Sequence, residues 1–354
     1  MGYKYSVAKP SLEGNELKYV EHAIKTGWIS SQGSYIEKFE KKFAEWNGMN
    51  FGAACSSGTS ALTLALRALN LGQGDEVIVP EFTMIASAWA VDYAGATPVF
   101  VDCGDDLNMD VNLLEQKINE KTKAIMPVHI YGRQCDMDTI MDLAYNYNLR
   151  VIEDSAEAHG IKPVGDIACF SLFANKIISS GEGGICVTND ERLDKQMKHL
   201  RAMAFTPKHD FLHPKRAYNF RMTNLQGAVA LAQTERIDEF LEKRAQIENN
   251  YDEDLRGIEG VAVMPKRDVL WMYDVLVEDR AELEEHLESR GIETRKFFRP
   301  MSQQPMYFDE NWKDLNAVKF SDSGIYLPTY FDLTSKDQEE ITSEIKEFYG
   351  RKHK

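Results

Sequence analysis

The chain has 354 residues, 43% hydrophobic and 27% charged, which is enough apolar material for a buried core and enough length for about two domains. Its formal net charge of -15, from 56 acidic and 41 basic residues, repels polyphosphate and excludes a general nucleic-acid binder, which needs a basic stripe. A small anionic ligand stays open, because a local cluster of Arg and Lys can override the average field.

In chain order, near-continuous apolar runs predict strands at Phe51–Cys55, Glu76–Pro80, Thr97–Asp102, Ala124–Ile130, Arg150–Glu153, Ala168–Phe173 and Gly184–Thr188. That is the texture of strands covered on both faces. Helical patterns lie between them at Ser60–Asn70, Ile85–Tyr93, Asn112–Asn119 and Met137–Tyr147. The alternation predicts an α/β fold with a mostly parallel sheet. Met222–Leu255 reads as one long charged amphipathic helix. Strand-like runs at Val261–Met264 and Trp271–Val277 follow, then helices at Ala281–Arg290 and Ser335–Tyr349. This α+β texture predicts a large domain over 13–245 and a smaller C-terminal one over 246–354, joined by residues 1–12.

The five cysteines, Cys55, Cys103, Cys135, Cys169 and Cys186, form no CxxC pair and lie mostly in apolar runs. They read as free, mostly buried thiols of a reducing compartment. No apolar stretch reaches the roughly 18 residues of a membrane span, and the N-terminus has no signal-peptide core. A cytoplasmic protein with no membrane partner is expected. Gly2 and Ser6 match the loose myristoylation pattern, a short motif with weak anchoring behind it.

In open α/β sheets the ligand sits at the carboxyl ends of the strands. Three segments stand there. Ser56-Ser57-Gly58-Thr59 opens a helix after a strand, where free amides and the helix dipole can hold a phosphate; taken alone, plain capping by Ser57 or Thr59 is the favoured reading. Glu153 to Gly160 follows another strand. Asp154 and Glu157 have the spacing of a capping box, but a carboxylate there also suits a protonated ring nitrogen. His159 reads as a supporting, hydrogen-bonded residue. The third segment places Lys176 just after a buried strand and before a glycine-rich turn, Gly181–Gly184. An exposed loop lysine is one reading; a desolvated nucleophile for Schiff-base chemistry is the other. Together a phosphate turn, a carboxylate and a lysine meet the needs of pyridoxal phosphate. His209 and His213 stand four apart, but no further ligand completes a metal site, so they read as a loop and no metal is expected.

These motifs are ordered as in a known family. Pro10–Glu16, Gly27–Ser31, Ser57-Gly58-Thr59, Gly74–Val77, Ile152–Asp154, Asn175-Lys176, Gly181–Gly184, Asn219–Asn224 and Gly291–Arg295 resemble the DegT/DnrJ/EryC1/StrS sugar aminotransferases over nearly the whole chain. The resemblance implies pyridoxal-phosphate-dependent transferase fold type I, with a large, mostly parallel sheet flanked by helices and a smaller α+β domain. It implies Lys176 as the lysine bonded to the cofactor, Asp154 at the pyridine nitrogen, and Glu157, where many members carry Gln, at the 3-hydroxyl. Gly58, Thr59 and Ser171 serve the phosphate, Met84 covers a ring face, and Asn219 reaches the phosphate of the other subunit of a homodimer. The stretch Ile161–Val164 is shorter than the hairpin many members have. Further phrases, Pro127–Gly132, Cys135–Asp138, Ala156–Gly160 and Gly165–Ser171, are similar to members that make GDP-perosamine from GDP-4-keto-6-deoxy-D-mannose with L-glutamate as amino donor. Trp28, His129, Arg221, Arg295, Lys296 and Arg299 are candidates for the sugar nucleotide, with Lys215 and Arg216 as further local positive charge. Other readings are a dTDP- or UDP-linked keto sugar, the related 3-dehydratase, which carries His in place of the lysine, and a non-catalytic cofactor-binding protein.

Overall fold

The computed structural model describes residues 2–206 and 210–352. In chain order the elements are α1 (Glu16–Thr26), α2 (Ser34–Trp46), β1 (Phe51–Cys55), α3 (Gly58–Ala68), β2 (Glu76–Pro80), α4 (Ala86–Ala94), β3 (Thr97–Val101), β4 (Thr122–Ile125), α5 (Met137–Tyr147), β5 (Arg150–Asp154), β6 (Ile167–Ser171) and β7 (Gly184–Thr188). They continue with α6 (Glu191–Arg201), α7 (Asn224–Glu235), α8 (Ile237–Leu255), β8 (Val261–Val263), β9 (Tyr273–Val277), α9 (Arg280–Ser289), β10 (Arg295–Lys296), α10 (Asn316–Ser323), β11 (Gly324–Leu327) and α11 (Ser335–Lys352).

Seven strands form one sheet in the order β1-β7-β6-β5-β4-β2-β3. Only β7 runs against its neighbours β1 and β6; the pairs from β6 to β3 are parallel. The carboxyl ends of β1, β2, β4, β5 and β6 therefore share one edge. The antiparallel β7 begins at that same edge, which brings the Gly181–Gly184 turn there. Every residue of β6 and β7 is buried, because helices cover both faces. A second, antiparallel sheet has the order β10-β11-β9-β8.

Two expected helices differ. Met222–Leu255 is two helices, α7 and α8, separated at Arg236, whose φ of -113° and ψ of 8° leave the helical region. Thr223 and Gln226 close a capping box at the start of α7. Buried Gln233 near its end is held by the Ser11 carbonyl and Glu16, and Arg236 turns outward to Glu239. The Asn112–Asn119 helix is replaced by two short 3₁₀ turns, Val111–Leu113 and Glu115–Lys117. Asp110 accepts the Asn112 N–H at 2.9 Å, a local bond that competes with helix propagation. The strand expected over Ala124–Ile130 ends at Ile125.

Helix α8 belongs to two cores. Ile237 and Phe240 pack with the large-sheet cluster, whereas Ile247, Tyr251 and Leu255 pack with Val275, Ile325 and Ile345 around the second sheet. Tyr5 also joins that second core. A division into 13–245 and 246–354 with 1–12 is proposed within this continuous helix.

The two parts are fastened by buried charge. Arg133 donates to Asp274 of β9 at 2.9 Å and to the Pro265 carbonyl at 2.9 Å. Arg267 donates to the same Asp274 at 2.6 Å and to Glu248 at 3.1 Å. Beside them Val269 N–H donates to the Gly132 carbonyl at 3.0 Å. A Cβ on Gly132 would lie 1.8 Å from the Val269 oxygen, and its φ is +85°, so only glycine allows this approach.

Candidate active site

A cavity of about 320 Å³ opens at the shared strand edge, lined by Ser57, Gly58, Thr59, Thr83, Met84, Val128, Asp154, Ala156, Glu157, Ser171, Asn175, Lys176, Trp271 and Phe298, among others. Its floor is built by strand ends. Asp154 is the last residue of β5 and Ser171 the last of β6, and α3 begins immediately after β1. Ser57 does cap α3, accepting the Ser60 N–H at 3.1 Å. The first-turn N–H groups of Gly58 and Thr59 have no acceptor inside the helix, so capping and anion binding coexist. A Cβ on Gly58 would lie 2.9 Å from Ser171 Cβ, so glycine keeps the Ser171 hydroxyl close to that turn.

The capping-box reading of Asp154 and Glu157 is overturned, since no helix follows β5. Asp154 accepts from the Ser87 hydroxyl at 2.7 Å and the Ala156 N–H at 3.1 Å. Burial pushes its carboxyl above the usual range, against the pull of those two bonds. Glu157 accepts the Tyr131 N–H at 3.0 Å, and Tyr131 takes the left-handed conformation, φ 53° and ψ 24°, at this point. Burial raises Glu157 to about 7, with Lys176 opposing.

Lys176 sits in the turn after β6, its N–H on the Phe173 carbonyl at 2.9 Å. Its side chain is 11% exposed, so it is not a loop lysine in solvent, and Nζ lies 3.6 Å from Glu157 Oε1. Burial lowers its pKa, against Glu157 and Asp154. His159 is buried against Phe43 and Phe170, and burial drops it to about 3, so it stays neutral.

The short stretch after His159 is ordered by Glu153, whose Oε1 accepts the Val164 and Gly165 N–H groups at 2.7 and 2.5 Å. Its Oε2 lies 2.9 Å from His129 Nε2, and His129 Nδ1 accepts the Cys135 N–H at 3.2 Å. His129 is thus fully buried with both ring nitrogens engaged, which corrects its expected place on a sugar nucleotide.

The structure brings Gly58, Thr59, Met84, Asp154, Glu157, Ser171 and Lys176 together. It does not bring Trp28, Asn219, Arg221, Arg295, Lys296 or Arg299 to this cavity. Asn219 is exposed and accepts from Arg221 at 2.9 Å. Arg295 pairs with Glu293 at 2.9 Å, Lys296 lies 3.5 Å from Glu284, and Lys215, Arg216 and Arg299 are exposed. All five cysteines are free and buried. His213 bonds the Met203 carbonyl at 2.7 Å, and His209 lies outside the described residues. Ser87 and Trp271 are additions that the sequence reading missed. Trp271 Nε1 donates to the Asn175 carbonyl at 2.9 Å across 96 residues, a proximity no local pattern signals.

Comparison with known proteins decides the family. The model of the DegT/DnrJ/EryC1/StrS aminotransferase family matches residues 10–346. The chain belongs to the DegT/DnrJ/EryC1/StrS aminotransferase family. It is 43% identical over 360 residues to GDP-perosamine synthase of Escherichia coli O157:H7, covering 98% of this chain and 99% of that protein. The solved S. venezuelae DesV, in complex with a ketimine intermediate, superposes with a TM-score of 0.89 at 30% identity, covering 95% of this chain and 94% of that one. The PLP form of Spr1654 from Streptococcus pneumoniae gives a TM-score of 0.91 at 26% identity, covering 99% of each. The architecture is that of pyridoxal-phosphate-dependent fold type I, and the chain is an aminotransferase of that cofactor class. Its own residues fit the group: an amide-rich turn that Ser171 approaches closely because Gly58 lacks a Cβ, a buried carboxylate, a largely buried lysine, and a buried Asn175 Oδ1 without a partner among the described residues. Among those residues no helix is long and apolar enough to cross a membrane.

Proposed function

We propose that this chain transfers the amino group of L-glutamate to the C4 ketone of GDP-4-keto-6-deoxy-D-mannose, giving GDP-perosamine. The observation that carries the reaction class is the convergence of Lys176, Asp154 and the α3 amide turn in one cavity. The acceptor is supported by the 43% identity to a GDP-perosamine synthase along almost the whole chain.

Pyridoxal phosphate, when bound, supplies a protonated ring that accepts the electron pair left on the donor's α-carbon. Asp154, fixed by Ser87 and the Ala156 N–H, would keep the ring nitrogen protonated, and that proton is what lets the ring take up the electron pair. Lys176 Nζ would take the proton from the donor's α-carbon and pass it to the cofactor, water releasing the donor as 2-oxoglutarate with its nitrogen left behind; on the return Lys176 would take a proton back and deliver it to the carbon that was the acceptor's ketone, whose oxygen has left as water. One positioned amine is base and then acid. Gly58, Thr59 and Ser171 hold the phosphate, Glu157 the ring hydroxyl, and the Met84 thioether covers one ring face. Asn219 acts on the phosphate bound by the second copy of a homodimer. Trp28, Arg221, Arg295, Lys296 and Arg299 line no part of this cavity, so a role for them with the sugar nucleotide is proposed only in the assembled dimer.

The test is a half-reaction screen. Protein charged with L-glutamate is offered GDP-, dTDP- and UDP-linked 4-keto-6-deoxy sugars, and the pyridoxamine phosphate absorbance is followed. Rapid loss with the GDP sugar alone supports the reading. Preference for a dTDP or UDP sugar replaces the acceptor, and failure to charge with glutamate overturns the reaction.

A further inference from the structure

Trp271 lies in the segment entering β9 and lines the cavity beside the turn that follows β6. Its indole Nε1–H holds the Asn175 carbonyl at 2.9 Å, and Lys176 Nζ rests 3.9 Å from its ring centroid. That distance is well inside the roughly 6 Å range of cation–π attraction. The ring is 3% exposed, so the contact is desolvated. From behind, the Trp271 carbonyl accepts from Arg244 Nη1 at 2.5 Å, and the Leu270 carbonyl lies 3.4 Å from the same nitrogen. Arg244 is a buried cation on α8 that forms no ion pair among the described residues, so backbone carbonyls of this one segment are what hold it.

We propose that Trp271 is a positioning residue for Lys176, its ring face being the resting place of the amine whenever that amine is not bonded to the cofactor. The inference rests on Lys176 as the cofactor lysine, not on the identity of the acceptor. A lysine on a four-carbon stem has many rotamers, yet in this reaction it must return to the same atoms twice per cycle. A ring face retains an ammonium without a lone pair that would compete for its protons. Glu157, at 3.6 Å, and Asp154 face the same amine and favour its charged form. Neutral His159 and, beyond it, Arg244 complete the charged and titratable surroundings.

The experiment compares wild type, Trp271→Leu and Trp271→Phe as full-length chains, with and without pyridoxamine phosphate. Trace acetylation across pH, read by mass spectrometry on the Lys176 peptide, gives the pKa of the amine. Loss of the ring face in W271L should lower it by about 0.5–1.5 units, and W271F should shift less than half as far. Turnover of W271L should fall about 10-fold or more with the KM for glutamate unchanged, since the amine and not the donor has lost its place. A Lys176 in W271L that titrates with wild type overturns the proposal, as does a W271F shift equal to that of W271L. W271F, which keeps a ring in the core, decides the matter against wild type if W271L does not fold: a shift of about 0.8 units or more overturns the proposal, and a smaller downward shift supports it. Failure of the functional reading shows separately, as an unmodified Lys176 after borohydride reduction with pyridoxal phosphate.

Discussion

Glu157 ties the pH dependence of stability to the site. Its carboxylate is buried, and burial outweighs the amine 3.6 Å away, raising the pKa from 4.5 to about 7. A folded-state value above the unfolded one means that the folded chain holds the proton more tightly. Stability is therefore full below about pH 4.5 and is lost as the pH rises through about 7. A separation of about 2.5 units at about 1.36 kcal/mol each amounts to roughly 3 kcal/mol. That net figure already contains the attraction of Lys176. Glu157→Gln keeps an oxygen for the Tyr131 N–H and removes the titration. In cofactor-free protein, E157Q should match wild type near pH 4 and exceed it by up to about 3 kcal/mol at pH 8, about 4 °C in Tm for a chain of this length. Calorimetric melts at intervals between pH 4 and 8 measure the difference. Two curves that stay parallel across that range would refute the argument that this carboxylate is ionised at a cost.

Other consequences follow from single contacts. Ser87→Ala removes a 2.7 Å bond to ionised Asp154, a kind worth about 1.5–3 kcal/mol. The Asp154 carboxyl should rise further, and the acid limb of the glutamate half-reaction should move to higher pH; an unmoved limb contradicts this. Asp274→Ala leaves Arg133 and Arg267 buried without their shared carboxylate. It should cost about 3–5 kcal/mol, read as a fall in the urea midpoint, and a cost below about 1 kcal/mol would show that the pair does not fasten the two sheets.

The parts legible in the sequence were those with local causes. β1, β2 and β7 match their apolar runs residue for residue, because strands covered on both faces need unbroken hydrophobic sequence. Asp154 was visible because it directly follows such a run, and Lys176 because it stands a few residues after one, before a glycine-rich turn. The break at Arg236 was not, since the apolar period passes through it and the interruption is set by the contacts of Gln233 with Ser11 and Glu16. Ser87 and Trp271 reach the site across 67 and 96 residues, and Arg133 meets Asp274 across 141. His129 was a candidate for the sugar nucleotide by resemblance alone, and in the structure a buried Glu153 takes one ring nitrogen and a backbone N–H the other. The opening balance of -15 is likewise a property of the whole surface; the cavity depends on helix amides and one lysine.

The central claim is that Lys176 carries the cofactor. Purified protein is incubated with pyridoxal phosphate, reduced with borohydride, digested and mapped by mass spectrometry. One phosphopyridoxyl group per chain is expected, on Lys176, and none in Lys176→Ala. A label on another lysine, or no label in the wild-type chain, would contradict it.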